Sequence, residues 1–344
     1  MRLRRSDCSG PGLRRIKRGR GFSYLDDGGD VVTDPETLLR IRELAIPPAW
    51  EDVWICGDPR GHLQATGTDA AGRKQYLYHP VWRARRDREK FERALRFARS
   101  LPQLRRGVSA DLEHDGFHRE RVLACAARLL DRGLFRVGSD DYAEADSGIG
   151  LATIRKEHVS FENGTALFDY PGKSGIRRIQ SIEDPESIRV LRALKRRRAG
   201  GDELLAYRNG RRWIAIRADD INDYLKSRMG EEFSAKDFRT WNGTVLAAAV
   251  LAADGQGATT KTARRRAINA AVREVAEVLG NTPAVARRAY IDPRVFDRYQ
   301  AGVTVAPALR RVDEIDLEDE RTRARVERAV LRLLSEKRLS ARSQ

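Results

Sequence analysis

The chain has 344 residues, 41% of them hydrophobic, which is enough for at least one sizeable core and long enough for two domains. Its 66 Lys and Arg against 50 Asp and Glu leave a formal charge of +16, a surplus that attracts polyanions and favours nucleic acid as the partner. No apolar run approaches the length of a membrane-spanning helix, and no Ser-His-Asp set, phosphate-cradling glycine loop or carboxylate metal cluster is legible.

The N-terminus is basic (Arg2, Arg4, Arg5, Arg14, Arg15, Lys17, Arg18, Arg20), but no apolar segment follows, which speaks against a signal peptide. Three scattered cysteines, Cys8, Cys56 and Cys125, suggest neither a disulfide framework nor a zinc cluster and fit a reducing cytoplasm. Residues 1–90 read as a small β-rich domain, with strands expected at 21–25, 52–56 and 62–68. Asp34-Pro35 opens a helix, since Asp caps free amides and Pro already holds helical φ; the helix should end before Pro47-Pro48. The charged stretch 82–106 reads as either a linker or a helix.

Residues 91–344 read as a larger, mainly helical domain. His114 and His118 stand at helical spacing, but Gly116 lies between them and no third ligand is near, so solvated side chains are expected and no metal. A helix over 119–134 buries Val122, Leu123, Ala126, Leu129 and Leu130, with Gly133 placed as its C-cap. Asn163-Gly164 and Asn209-Gly210 each predict a tight hairpin, because both residue types tolerate positive φ. Helices are expected at 185–198, 219–229, 236–253 and 261–279. Gly280 stops the last one, Thr282 and Pro283 open the next, and Tyr290 follows shortly after that start. A final amphipathic helix is read at 326–334.

Taken alone, these residues say basic, helical and metal-free. Six separated segments add a resemblance. Gly72-Arg73-Lys74-Gln75-Tyr76-Leu77-Tyr78 looks like the DNA-contacting strand of poxvirus-type and bacterial topoisomerases IB. Five further pieces follow in that family's order: 135–138 around Arg136, 171–175 around Lys173, 236–241 around Arg239, 280–283 around Asn281, and Arg288-Ala289-Tyr290. The resemblance covers nearly the whole chain. It implies an α+β fold of a small β-rich N-terminal DNA-binding domain and a helical catalytic domain, closing as a clamp around duplex DNA.

The resemblance further implies a monomeric bacterial enzyme of the nucleoid that relaxes supercoils by transient single-strand cleavage, without ATP, metal or other cofactor. Tyr290 would be the nucleophile that forms a 3′-phosphotyrosyl link, and Lys173, on a hairpin tip, the general acid. Arg136 and Arg239 would hold the non-bridging phosphoryl oxygens through their N–H forks. Asn281 stands where many relatives carry His, so a hydrogen-bond donor is kept and a titrating group is not. Arg73, Gln75, Tyr76, Tyr78 and Tyr142 would contact DNA. Without the resemblance each residue has a plainer reading: Tyr290 a packed ring, Lys173 a solvated turn, Arg136 a helix C-cap. Arg239, expected in a first helical turn, is mildly disfavoured there by the helix dipole, which leans toward function.

Overall fold

The computed structural model describes residues 1–138, 148–254, 258–309, 317 and 319–335. The chain divides into two compact units, Met1–Lys90 and Phe91–Gln344.

The first unit is a five-stranded antiparallel sheet with one helix. Strands β1 Leu13–Arg18, β2 Gly21–Leu25, β3 Glu51–Ile55, β4 Leu63–Thr68 and β5 Lys74–Tyr78 lie in the order β2-β1-β3-β4-β5. Helix α1 Pro35–Glu43 follows Asp34, whose side chain accepts from the Thr37 amide at 2.9 Å. Its Ile41 packs with Leu13, Val53, Ile55 and Ala65 into a small core. Strand β1 is not among the expected elements, because four basic residues mask its alternation. One of them, Arg15, is half-buried and donates to the carbonyls of Pro47 (3.1 Å) and Trp50 (2.5 Å).

The second unit is mainly helical. Residues 80–113 form one helix, α2 Pro80–Glu113, so the charged stretch 82–106 is a helix and not a linker. Helix α3 Arg119–Gly133 runs through the core with Val122 through Ala127, Leu129 and Leu130 all buried. Its left-handed C-cap is Leu134 (φ 56°), one residue beyond the expected Gly133. Gly133 is small for another reason: a Cβ there would lie 2.3 Å from the Phe135 ring and 2.8 Å from Ile182.

A three-stranded meander, β6 Val159–Glu162, β7 Thr165–Pro171 and β8 Arg177–Ile182, packs beside α3. Asn163 and Gly164 both take positive φ at its first turn, as their sequence predicts. The second hairpin, β9 Ala206–Asn209 with β10 Arg212–Ala215, turns one residue later than expected. Asn209 pairs with Arg212 inside the ladder and only Gly210 has positive φ. Helices α4 Pro185–Arg196, α5 Ala218–Met229, α6 Ala235–Asp254, α7 Lys261–Leu279, α8 Pro283–Ala289, α9 Pro293–Gln300, α10 Ala306–Leu309 and α11 Glu320–Ser335 complete the unit. No helix among the described residues is long and apolar enough to cross a membrane.

A buried ionic knot fastens α11 to α2, α3 and α6. Arg105 donates to Asp131 (2.8 Å) and Glu327 (2.7 Å), and Arg323 donates to the Asp131 carboxylate (2.8 Å). The Asp131 carbonyl takes Asn242 of α6 (3.0 Å) and Arg323 (2.6 Å). Burial pushes the Asp131 carboxyl up, but Arg323 and Arg105 outweigh it and hold it well below the usual carboxylate range. Asp131→Asn leaves two guanidiniums facing a neutral amide and should cost about 3–5 kcal/mol at neutral pH, read by denaturant unfolding. A depressed folded pKa means this contribution is full above the unfolded value of about 3.9 and is lost as pH falls through the folded one. The gap between parent and variant should therefore shrink in acid. A constant gap would contradict the ionic account.

Candidate active site

The site is built around the C-terminal end of α7. Gly280 adopts the left-handed conformation (φ 59°) that closes the helix, and the Asn281 amide reaches back to the Ala276 carbonyl at 2.8 Å. The last carbonyls of a helix lack intrahelical partners and carry the negative end of its dipole. Here three arginines take them in succession. Arg178 of β8 donates to Glu277 (3.2 Å) and Val278 (2.7 Å), Arg239 of α6 to Leu279 (2.7 Å), and Arg136 to Gly280 (3.1 Å). Arg136 also donates to the Asn281 side-chain oxygen at 2.7 Å.

Arg239 is almost wholly buried and its second donor is spent on the Leu134 carbonyl at 2.6 Å. Its Nε has no hydrogen-bond partner among the described residues. Burial, then the Arg136 charge, push its guanidinium down to about 10. The guanidinium carbon stands 5.1 Å from the centre of the Tyr290 ring.

Tyr290 is the C-cap residue of α8, a helix of only seven residues, and so follows shortly after the helix start. Thr282 caps it and Pro283 opens it, as the sequence indicates. The tyrosine is 8% exposed, and α6 supports it from below. Thr244 donates to its carbonyl at 3.1 Å, and a Cβ on Gly243 would come within 3.0 Å of that oxygen. Burial raises the Tyr290 phenol, but the charge of Arg239, then Arg136 and Lys236, more than offsets it. The net shift is downward.

Lys173 sits in the turn between β7 and β8, closed by the Gly172 amide donating to the Ile176 carbonyl at 2.8 Å. Residues 148–152 run between this turn and the Arg136 segment: the Ile149 amide donates to Pro171 (2.9 Å) and the Leu151 amide to the Arg136 carbonyl (2.8 Å). Such close backbone approach needs glycine. A Cβ on Gly148 would lie 2.1 Å from the Gly172 carbonyl carbon, and one on Gly150 2.3 Å from the Gly138 Cα.

A cavity of about 330 Å³ is lined by Arg136, Lys173, Lys236, Arg239 and Tyr290, with Gly148 and Gly150 in its wall. Four of the five expected catalytic residues therefore meet in one space, and Asn281 joins through its bond to Arg136. Tyr142 lies outside the described residues. Arg73, Gln75, Tyr76 and Tyr78 belong to the first unit. Tyr76 and Tyr78 are exposed with stacked rings 6.1 Å apart, while Arg73 (3.1 Å) and Gln75 (2.9 Å) both bond Asp69. Two cations of the site, Lys236 and Arg178, have no role assigned from the sequence. Lys236 lies within one of the resembling segments, three residues before Arg239. Arg178 gives no signal beyond being one arginine of a basic strand.

The helical unit thus gathers Arg136, Lys173, Arg239 and Tyr290 around one cation-lined cavity, in a chain that also carries a small basic sheet unit. Residues 79–304 match the catalytic core of eukaryotic DNA topoisomerase I, and residues 21–69 match the N-terminal domain of bacterial DNA topoisomerase IB. The chain is 31% identical to DNA topoisomerase 1B of Acanthamoeba polyphaga mimivirus, over 84% of its own length and 88% of the viral protein. It is 22% identical to DNA topoisomerase 1 of Rabbit fibroma virus (strain Kasza), over 81% and 89%. It is also 29% identical to DNA topoisomerase 1 of Candidozyma auris, over 46% of its own length and 20% of the fungal protein. The chain belongs to the type IB DNA topoisomerase family, whose members are isomerases.

The cation-lined setting of Tyr290 has a measurable consequence. In an ultraviolet titration of the folded protein, the component lost on Tyr290→Phe should have its midpoint below the ordinary tyrosine value of about 10. A midpoint above that value would mean that burial outweighs the arginines.

Proposed function

We propose that this protein relaxes supercoiled duplex DNA of either sign by cutting one strand through Tyr290, letting the duplex rotate, and resealing it. The convergence of Arg136, Lys173, Arg239 and Tyr290 on one cavity carries this reading. The Tyr290 phenol gives its proton to solvent and its oxygen attacks the scissile phosphorus while the bond to the 5′ oxygen breaks, leaving a 3′-phosphotyrosyl link and a free 5′ hydroxyl. Arg136 and Arg239, both lining the cavity, face the added negative charge of the five-coordinate phosphorus. Lys173 gives its proton to the departing 5′ oxygen. The link conserves the energy of the phosphodiester, so resealing runs the same steps in reverse and needs no nucleotide.

Asn281 completes the set. Its oxygen accepts from Arg136 and its Nδ2 lies 3.4 Å from the Leu279 carbonyl, which leaves an N–H to donate to a phosphoryl oxygen. The first unit is read as a DNA-binding domain. Exposed Lys74, Tyr76 and Tyr78 alternate along β5, and Asp69 holds Arg73 and Gln75 together next to them. The protein would act as a monomer, close on the duplex as a clamp, and bind with an affinity that falls steeply with salt.

Supercoiled plasmid incubated with the purified protein in EDTA without nucleotide should relax fully. A strict need for Mg²⁺ or ATP would overturn the proposal. Tyr290→Phe should keep duplex binding and form no covalent adduct; an adduct formed by that variant would point to another nucleophile. Asn281→Ala should slow single-turnover cleavage by an amount equivalent to about 2–4 kcal/mol, the usual cost of losing one such donor. Cleavage at the parent's rate would remove Asn281 from the site.

A further inference from the structure

Arg178 lies half-buried on β8, five residues beyond Lys173. Its side chain spans two glycines that belong to different halves of the site. At the stem end, a Cβ on Gly172, the residue before Lys173, would lie 2.6 Å from the Arg178 Cγ. At the head end, a Cβ on Gly280, the residue before Asn281, would lie 2.5 Å from the Arg178 Nη1 and 2.7 Å from its Cζ. The head also donates to the Glu277 and Val278 carbonyls. Both glycines are thus cleared for one side chain, which joins the Lys173 turn to the end of α7. Arg178 lines a smaller pocket that shares Arg136, Lys173 and Arg239 with the Tyr290 cavity.

The Lys173 turn needs such a tie. Its backbone is held locally by the Gly172–Ile176 bond and, on one side, by the Ile149–Pro171 bond. The ion pair of Arg177 with Asp169 staples the two strands to each other and holds the hairpin to nothing else. Arg178, by contrast, fixes the hairpin to the helix end that carries the Arg136 and Asn281 contacts.

We propose that Arg178 is a positioning residue for strand cleavage, holding the Lys173 turn at the working distance from the phosphoryl-binding arginines by bridging Gly172 to the C-terminus of α7. This rests on the reading of Lys173 as a participant in cleavage. The planar fork matters because two adjacent carbonyls are engaged at once, which a single ammonium cannot reproduce. Arg178 itself touches no reacting atom.

The test is a double-mutant cycle in the full-length protein, measured as single-turnover cleavage of a duplex suicide substrate. Arg178→Met keeps the stem and removes the fork. It should slow cleavage by about 10²-fold, the scale of a misplaced catalytic group, with duplex affinity changed by less than about threefold. In a Lys173→Ala background the same change should cost less than about threefold, because a missing side chain cannot be misplaced. Arg178→Lys should fall between parent and Arg178→Met. If the two defects multiply in full, or if Arg178→Met cleaves at the parent's rate, the proposal is wrong. A 5′-bridging phosphorothiolate substrate separates the two layers, since its sulfur leaves without a proton. Failure to restore Lys173→Ala on that substrate would end the general-acid reading, while the cycle would still decide whether Arg178 acts through Lys173.

Discussion

Three guanidinium groups gathered at one cleft repel one another, and the force that opposes this is the open end of α7. Its last carbonyls are left short of helical partners, Glu277 keeping only the cap amide of Gly280 at 3.0 Å, and the helix dipole makes them the negative pole of the region. Arg178, Arg239 and Arg136 take the carbonyls of Glu277 through Gly280 in order. The helix end thus does two jobs with one set of atoms: it satisfies its own acceptors and it sets the spacing of the cations. The left-handed Gly280 is where both jobs meet, since its lack of a side chain lets the Arg178 head pass and its conformation turns the chain toward Asn281.

The same economy explains Tyr290. Helix α8 begins shortly after the left-handed glycine and is so short that its end brings the tyrosine back over α6, beside Arg239. Buried phenols ordinarily resist ionisation, yet here the arginines outweigh burial. Charge that would be costly to collect elsewhere is held by backbone carbonyls, and the Tyr290 phenol is seated within its field. Preorganisation of this kind is what stabilises a phosphoryl-transfer transition state without movement at the moment of reaction.

Much of this frame is legible in the sequence, because it rests on local chemistry. Asp34-Pro35, Thr282-Pro283 and Gly280 are helix start and stop signals with a single structural meaning, and Asn163-Gly164 turns where both residues allow positive φ. The departures have physical causes as well. Gly133 looks like a left-handed cap, but its smallness serves packing against Phe135 and Ile182, and Leu134 takes the strained conformation instead. Strand β1 escapes notice because its basic side chains hide the period of two. Of the site, segment resemblance points to Arg136, Lys173, Arg239, Asn281 and Tyr290. Arg178 is invisible in the sequence, since its partners are backbone carbonyls about a hundred residues away.

The central claim is that the C-terminus of α7 presets the arginine cluster, and Gly280→Ala tests it most directly. A methyl group there is strained at φ 59° and lies within 2.5 Å of the Arg178 guanidinium, so either the helix end or the arginine must move. Single-turnover cleavage by the folded variant should fall by about 10²-fold while its affinity for duplex DNA stays within about threefold of the parent. Cleavage at the parent's rate by a stably folded Gly280→Ala protein would contradict the account.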